Sequence, residues 1–125
     1  MTLVFVYGSL KRGHRLAGHL AGSRFVGRAR TVSGFRLFDL GWFPAMKRDD
    51  DGGQIEGELY EIDDATLARL DRVECEGRLY RREEIALAEI DEFDDGLDTF
   101  AQTYLYLHDT SDAKDCGAAW PRANA

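Results

Sequence analysis

Val4-Phe5-Val6-Tyr7-Gly8-Ser9-Leu10-Lys11-Arg12-Gly13 is the stretch from which the fold is read. Its first half is a run of β-branched and aromatic residues, the composition of a buried strand. The run stops at a Gly-Ser pair that bares backbone amides, and the cations Lys11 and Arg12 follow at once. A strand that ends this way can hold the carboxylate or carbonyl oxygen of a small ligand on main-chain N–H groups. The same residues also compose an ordinary turn. What adds weight to the first reading is a helix much further along, which offers a carboxylate to the same interior.

Outward from this first strand (residues 3–7), the pattern predicts a short helix around 16–20 and two strand-like pieces, 24–29 and 31–38, broken near Ser33-Gly34. Residues 41–45, Gly-Trp-Phe-Pro-Ala, read as an aromatic loop and 49–53 as a polar turn. In the strand 54–62, Ile55, Gly57 and Leu59 fall on one side, Tyr60 and Ile62 on the other. Asp63-Asp64 can accept the free N–H groups of a helix start, and that helix is expected to run to about Glu74 and stop near Gly77. A long strand (79–90), an acidic loop (91–98) and an aromatic-rich strand (99–108) follow. Residues 109–125 carry little pattern and read as a tail anchored by Trp120. Many strands with one clear helix predict an α+β fold built on a small closed or nearly closed barrel.

With 125 residues, the chain reads as one domain (1–108) plus the tail, long enough to bury a core without metals or disulfides. Its hydrophobic share of 44% and charged share of 31% are those of a soluble globular protein. No stretch approaches a transmembrane run, and Met1-Thr2-Leu3 enters the strand without a basic leader, so no membrane role and a cytoplasmic location are expected. Cys75 and Cys116 suit a reducing compartment. Neither they nor His14, His19 and His108 show metal-ligand spacing, so no zinc site is expected. A net charge of −7 argues against a nucleic-acid partner.

On the predicted helix, Leu67, Leu70 and Glu74 share one stripe at i, i+3 and i+7. The leucines must face the core, and Glu74 points with them. Burial penalises an ionised carboxylate and raises its pKa, the condition for a general base near neutral pH. The competing reading has Glu74 reaching water at the helix end or pairing with Arg78, Arg81 or Arg82. Asp71 reads as a rim or ion-pair residue. A serine nucleophile at Ser9 is disfavoured, because Tyr-Gly-Ser-Leu lacks the flanking glycines of a nucleophile elbow. Cys75 has no histidine placed to activate it.

The Tyr7-Gly8-Ser9-Leu10 strand end, the strand containing Glu56-Gly57-Glu58-Leu59-Tyr60, and Leu70-Asp71-Arg72-Val73-Glu74 with Leu79-Tyr80-Arg81-Arg82 together resemble the γ-glutamyl cyclotransferase superfamily. The likeness is closest to γ-glutamylamine cyclotransferases and the avirulence-induced proteins, and it spans residues 3–108. It implies a small mixed β-barrel flanked by a few helices. It also implies a substrate loop at Tyr7, Gly8, Ser9 and Leu10, an essential glutamate at Glu74 and a substrate-facing aromatic at Tyr80. Trp42 and Pro44 fall loosely where the family lines its cavity.

The implied reaction turns a γ-glutamyl amine or small γ-glutamyl peptide into 5-oxoproline and a free amine, without cofactor; nothing in the sequence demands more than a monomer. Lys11 or Arg12 either meets the substrate carboxylate or stays solvated. Two alternatives remain: the same ring closure on a protein-carried γ-glutamyl intermediate, and a non-catalytic module that binds a small acidic ligand. Glu74 weighs against the second, since a binder of an anion gains little from a buried negative charge.

Overall fold

The computed structural model describes residues 1–8, 11, 17–41, 43–90 and 99–120. Among them are eight strands: β1 (Thr2–Val6), β2 (Arg24–Thr31), β3 (Phe35–Asp39), β4 (Pro44–Arg48), β5 (Glu56–Ile62), β6 (Tyr80–Ile90), β7 (Thr99–Tyr106) and β8 (Lys114–Gly117). A helix, α1 (Asp64–Val73), and a 3₁₀ turn, Ala17–Leu20, complete the set. Five strands close into a barrel in the order β1-β5-β2-β6-β7, and a second sheet runs β4-β3-β8. The barrel closes where β1 meets β7 in parallel at Val4 and Gln102, while its other pairings are antiparallel.

The apolar run of β1 is explained by burial on both its faces. Phe5 and Tyr7 join Ala29, Leu59, Ile85, Leu87, Ala101 and Leu105, one apolar cluster drawn from all five barrel strands. Phe35, Leu37 and Met46 of the second sheet extend that cluster. Val4 and Val6 face the other way, with Tyr60, Ile62, Tyr80 and Tyr104, toward Leu20 of the 3₁₀ turn and Leu70 of α1. The two-sidedness predicted for 54–62 reappears here, with Leu59 of β5 and the preceding Ile55 in the first cluster and Tyr60 and Ile62 in the second.

Helix α1 starts where the aspartates predict. Asp63 is its N-cap, and its carboxylate accepts the Thr66 N–H at 2.8 Å. Two strands were not legible in the pattern. The second half of the predicted aromatic loop begins β4, which pairs with β3 from Asp39↔Pro44 to Phe35↔Arg48. Pro44, Ala45 and Met46 are buried in succession, which erases the alternation by which a half-exposed strand is recognised. Within the tail, Lys114–Gly117 adds to β3 as β8. Lys-Asp-Cys-Gly has little strand propensity, so its placement comes from tertiary contacts. Arg36 Nη1 meets Asp115 Oδ2 at 2.7 Å, and Trp120 is buried in the first cluster. The acidic loop 91–98 lies outside the described residues.

Candidate active site

The site forms where the end of β1, the start of β4 and the end of α1 converge. Each approach has a local cause. Tyr7 directly follows β1 and joins Phe5 in the inner cluster, and its hydroxyl donates to the Tyr104 carbonyl of the neighbouring strand β7. Gly8 follows, packed so tightly against the Pro44 ring that there is no room for a side chain. The Lys11 amide then returns to the Gly8 carbonyl at 3.0 Å. Ser9 and Leu10, also expected to bind substrate, lie outside the described residues, as do Arg12 and Trp42.

Glu74 is the C-cap of α1, with φ −89° and ψ 3°. The chain beyond it closes the helix in a Schellman arrangement: Cys75 N–H bonds Arg72 O at 3.2 Å and Glu76 N–H bonds Asp71 O at 2.9 Å. The helix terminus thereby fixes the backbone from which the half-buried Glu74 side chain projects. Its carboxylate acts electrostatically on Tyr7, Tyr80 and Tyr104. The stripe of Leu67, Leu70 and Glu74 thus does bring a carboxylate to the barrel's aromatic rim.

All three phenols are buried and held in the neutral form. For Tyr7, burial comes first, then the nearby Tyr80 and Glu74, and together they raise the hydroxyl well above its ordinary range against a hydrogen bond from the Met46 backbone. Tyr80 is raised by burial and then by Glu74 and Tyr106. Tyr104 is raised by burial and by its hydrogen bond to Asp71 Oδ1, at 2.7 Å. These rings therefore cannot serve as bases near neutrality. The Tyr80 hydroxyl gives its proton to the Pro44 carbonyl at 2.6 Å, leaving an oxygen able to accept.

Asp71 takes the ion-pair role predicted for it, with Arg82 Nε 2.9 Å from Oδ1. Arg82, one candidate partner for Glu74, is committed to that pair and to Gln102 Oε1 at 3.3 Å. Met46 carries no signal in the sequence; Tyr104 and Tyr106 share with Tyr80 the sequence reading of hydroxyls that could line a pocket, of which Tyr80 is the preferred one. Lys11 does not reach toward Tyr7 or Glu74. Its ammonium donates to the Trp120 carbonyl. It also lines a cavity of about 420 Å³ with Arg28, Arg30, Glu56, Glu58 and Glu89, apart from the tyrosine cluster. The chemistry of the tyrosine rim, rather than the size of that cavity, identifies the candidate site.

The structure is similar to that of an AIG2-like protein of Mus musculus, with a TM-score of 0.76 and 27% identity, covering 90% of this chain and 81% of that one. It is also similar to the Escherichia coli protein ytfP, with a TM-score of 0.69 and 28% identity, covering 95% and 96% of the two chains. The chain belongs to the gamma-glutamyl cyclotransferase, AIG2-like family, whose model matches residues 4–122. That span includes β8 and Trp120. A provisionally named gamma-glutamylcyclotransferase of Vibrio cholerae is 38% identical over 72 residues, 58% of this chain and 61% of that protein. The matched part spans about three fifths of the length of such curated relatives.

Proposed function

We propose that this chain is a γ-glutamyl cyclotransferase that acts on γ-glutamyl amines or small γ-glutamyl peptides, with Glu74 as its general acid and base. The observation that carries this reading is Glu74 itself, a carboxylate fixed at the α1 terminus among phenols too basic to titrate near neutrality. The substrate α-ammonium gives one proton to the Glu74 carboxylate, which frees the nitrogen lone pair. That nitrogen attacks the γ-carbonyl carbon, and the C=O electrons move to oxygen. The protonated Glu74 gives its proton to the leaving-group nitrogen and takes the second proton from the ring nitrogen. The oxygen electrons then return, the C–N bond to the leaving group breaks, and Glu74 passes that last proton to the departing amine, which leaves as its ammonium. The products are 5-oxoproline and the free amine.

Holding amine and carbonyl in a ring-closing pose can supply on the order of 7–11 kcal/mol of the barrier. Backbone amides after Gly8 are the donors we assign to the glutamyl oxygens, and Tyr80 to the wall beside the reacting centre. The test is 5-oxoproline release from γ-glutamyl-ε-lysine, γ-glutamyl-alanine and, as control, α-glutamyl-alanine. Release from a γ-linked compound alone is expected; a native protein that releases none from either γ-linked compound overturns the reading.

A further inference from the structure

The tail that the sequence leaves unpatterned returns to the substrate loop. Strand β8 pairs with β3 through Leu37↔Gly117, Phe38↔Asp115 and Asp39↔Lys114. Just beyond it, the Ala118 carbonyl accepts the Glu56 N–H at 2.7 Å, which ties the segment to the start of β5. Trp120 then buries its ring in the cluster that holds Tyr7, and its Nε1 lies 3.3 Å from Asp39 Oδ1. From this fixed point its backbone carbonyl receives the Lys11 ammonium across 109 residues of chain. Lys11 in turn closes the turn back to Gly8.

We infer that Lys114–Trp120 is a strap that positions the substrate loop, and that Lys11 is the positioning residue through which it acts. The inference rests on the cyclotransferase reading for its functional meaning, although the coupling itself is structural. A lysine meant only for solubility would extend to water, since burying an ammonium costs free energy unless it is hydrogen-bonded. Here burial lowers the Lys11 pKa, with Glu58 and Glu56 partly offsetting it, and the ammonium still turns inward to a carbonyl. The strap thus meets the chain at two described points, the Trp120 ring in the cluster that holds Phe5 and Tyr7 and the Trp120 carbonyl on Lys11.

The experiment compares the native protein with Lys11→Met, which keeps the alkyl stem and loses the donor, and with Lys11→Arg, which restores one. Lys11→Met is expected to raise KM for γ-glutamyl-ε-lysine about tenfold with a smaller change in kcat, and Lys11→Arg to recover most of that loss. Hydrogen exchange supplies a readout independent of activity. In Lys11→Met the amides of the Tyr7–Lys11 peptide are expected to exchange about tenfold faster while those of α1 keep their rates. Unchanged exchange in that peptide overturns the inference, as does an unchanged KM in an active protein. If the native protein releases no 5-oxoproline, the cyclotransferase reading fails and the exchange result alone decides the coupling.

Discussion

At Gly8 the main chain passes so close to Pro44 that a β-carbon would sit 2.5 Å from the ring Cγ and 2.7 Å from Cδ, but 4.0 Å from Cβ. A pyrrolidine ring cannot swing aside, so Gly8→Ala must displace either the loop or the start of β4. The overpacking is expected to cost about 1–3 kcal/mol of stability and to weaken substrate binding. Pro44→Ala removes the two offending atoms and keeps the third at ordinary contact distance. The double variant Gly8→Ala/Pro44→Ala should therefore recover stability relative to Gly8→Ala alone, as measured by denaturant unfolding. Simple additivity of the two losses would mean that the Pro44 ring is not what excludes a side chain at Gly8.

The end of α1 shows how an element aims a side chain. Its C-terminal closure needs a left-handed residue after Glu74, and Cys75 fills that place with φ 50° although it is not glycine. An L-residue there costs roughly 1–2 kcal/mol, partly offset by the greater unfolded-state freedom of glycine. Cys75→Gly is thus expected to be neutral or to stabilise by up to about 1 kcal/mol, whereas Cys75→Ile should destabilise, both read from unfolding midpoints. A clear loss in Cys75→Gly would show that the thiol contributes more than the backbone strain removes.

Elements were legible where one local signal sufficed: the Asp63 cap, the alternation of β5 and the apolar run of β1. Strands β4 and β8 were hidden for opposite reasons. Continuous burial removes the period of the first, and the second has no propensity of its own. At the candidate site, the leucine stripe pointed to Glu74, the Gly-Ser strand end to Gly8, and the family resemblance to Tyr7 and Tyr80. The partnership of Lys11 with Trp120 joins positions too distant in sequence for any window to connect.

Across the whole molecule, the barrel and the helix enclose phenols that link folding to proton binding. The neutral forms of Tyr7, Tyr80 and Tyr104 are favoured in the folded state, so their native pKa values lie above the ordinary 10.0. The resulting stabilisation is fully present below that pH and is lost as pH rises beyond it, because the unfolded chain then releases protons the folded one retains. Phenolate absorbance from these three residues should therefore appear together with the loss of the circular dichroism signal. Ionisation of all five tyrosines in a protein whose dichroism is unchanged would contradict the burial of the rim.

The proposed reaction assigns the proton transfers to Glu74. Its most direct test is kcat/KM for 5-oxoproline release by native protein and by Glu74→Gln, with unfolding curves showing both to be folded. Glutamine keeps the shape and cannot accept the proton, so a fall of about 10²–10⁴-fold is expected. Release at the native rate from folded Glu74→Gln would contradict the assignment of Glu74 as the acid–base group.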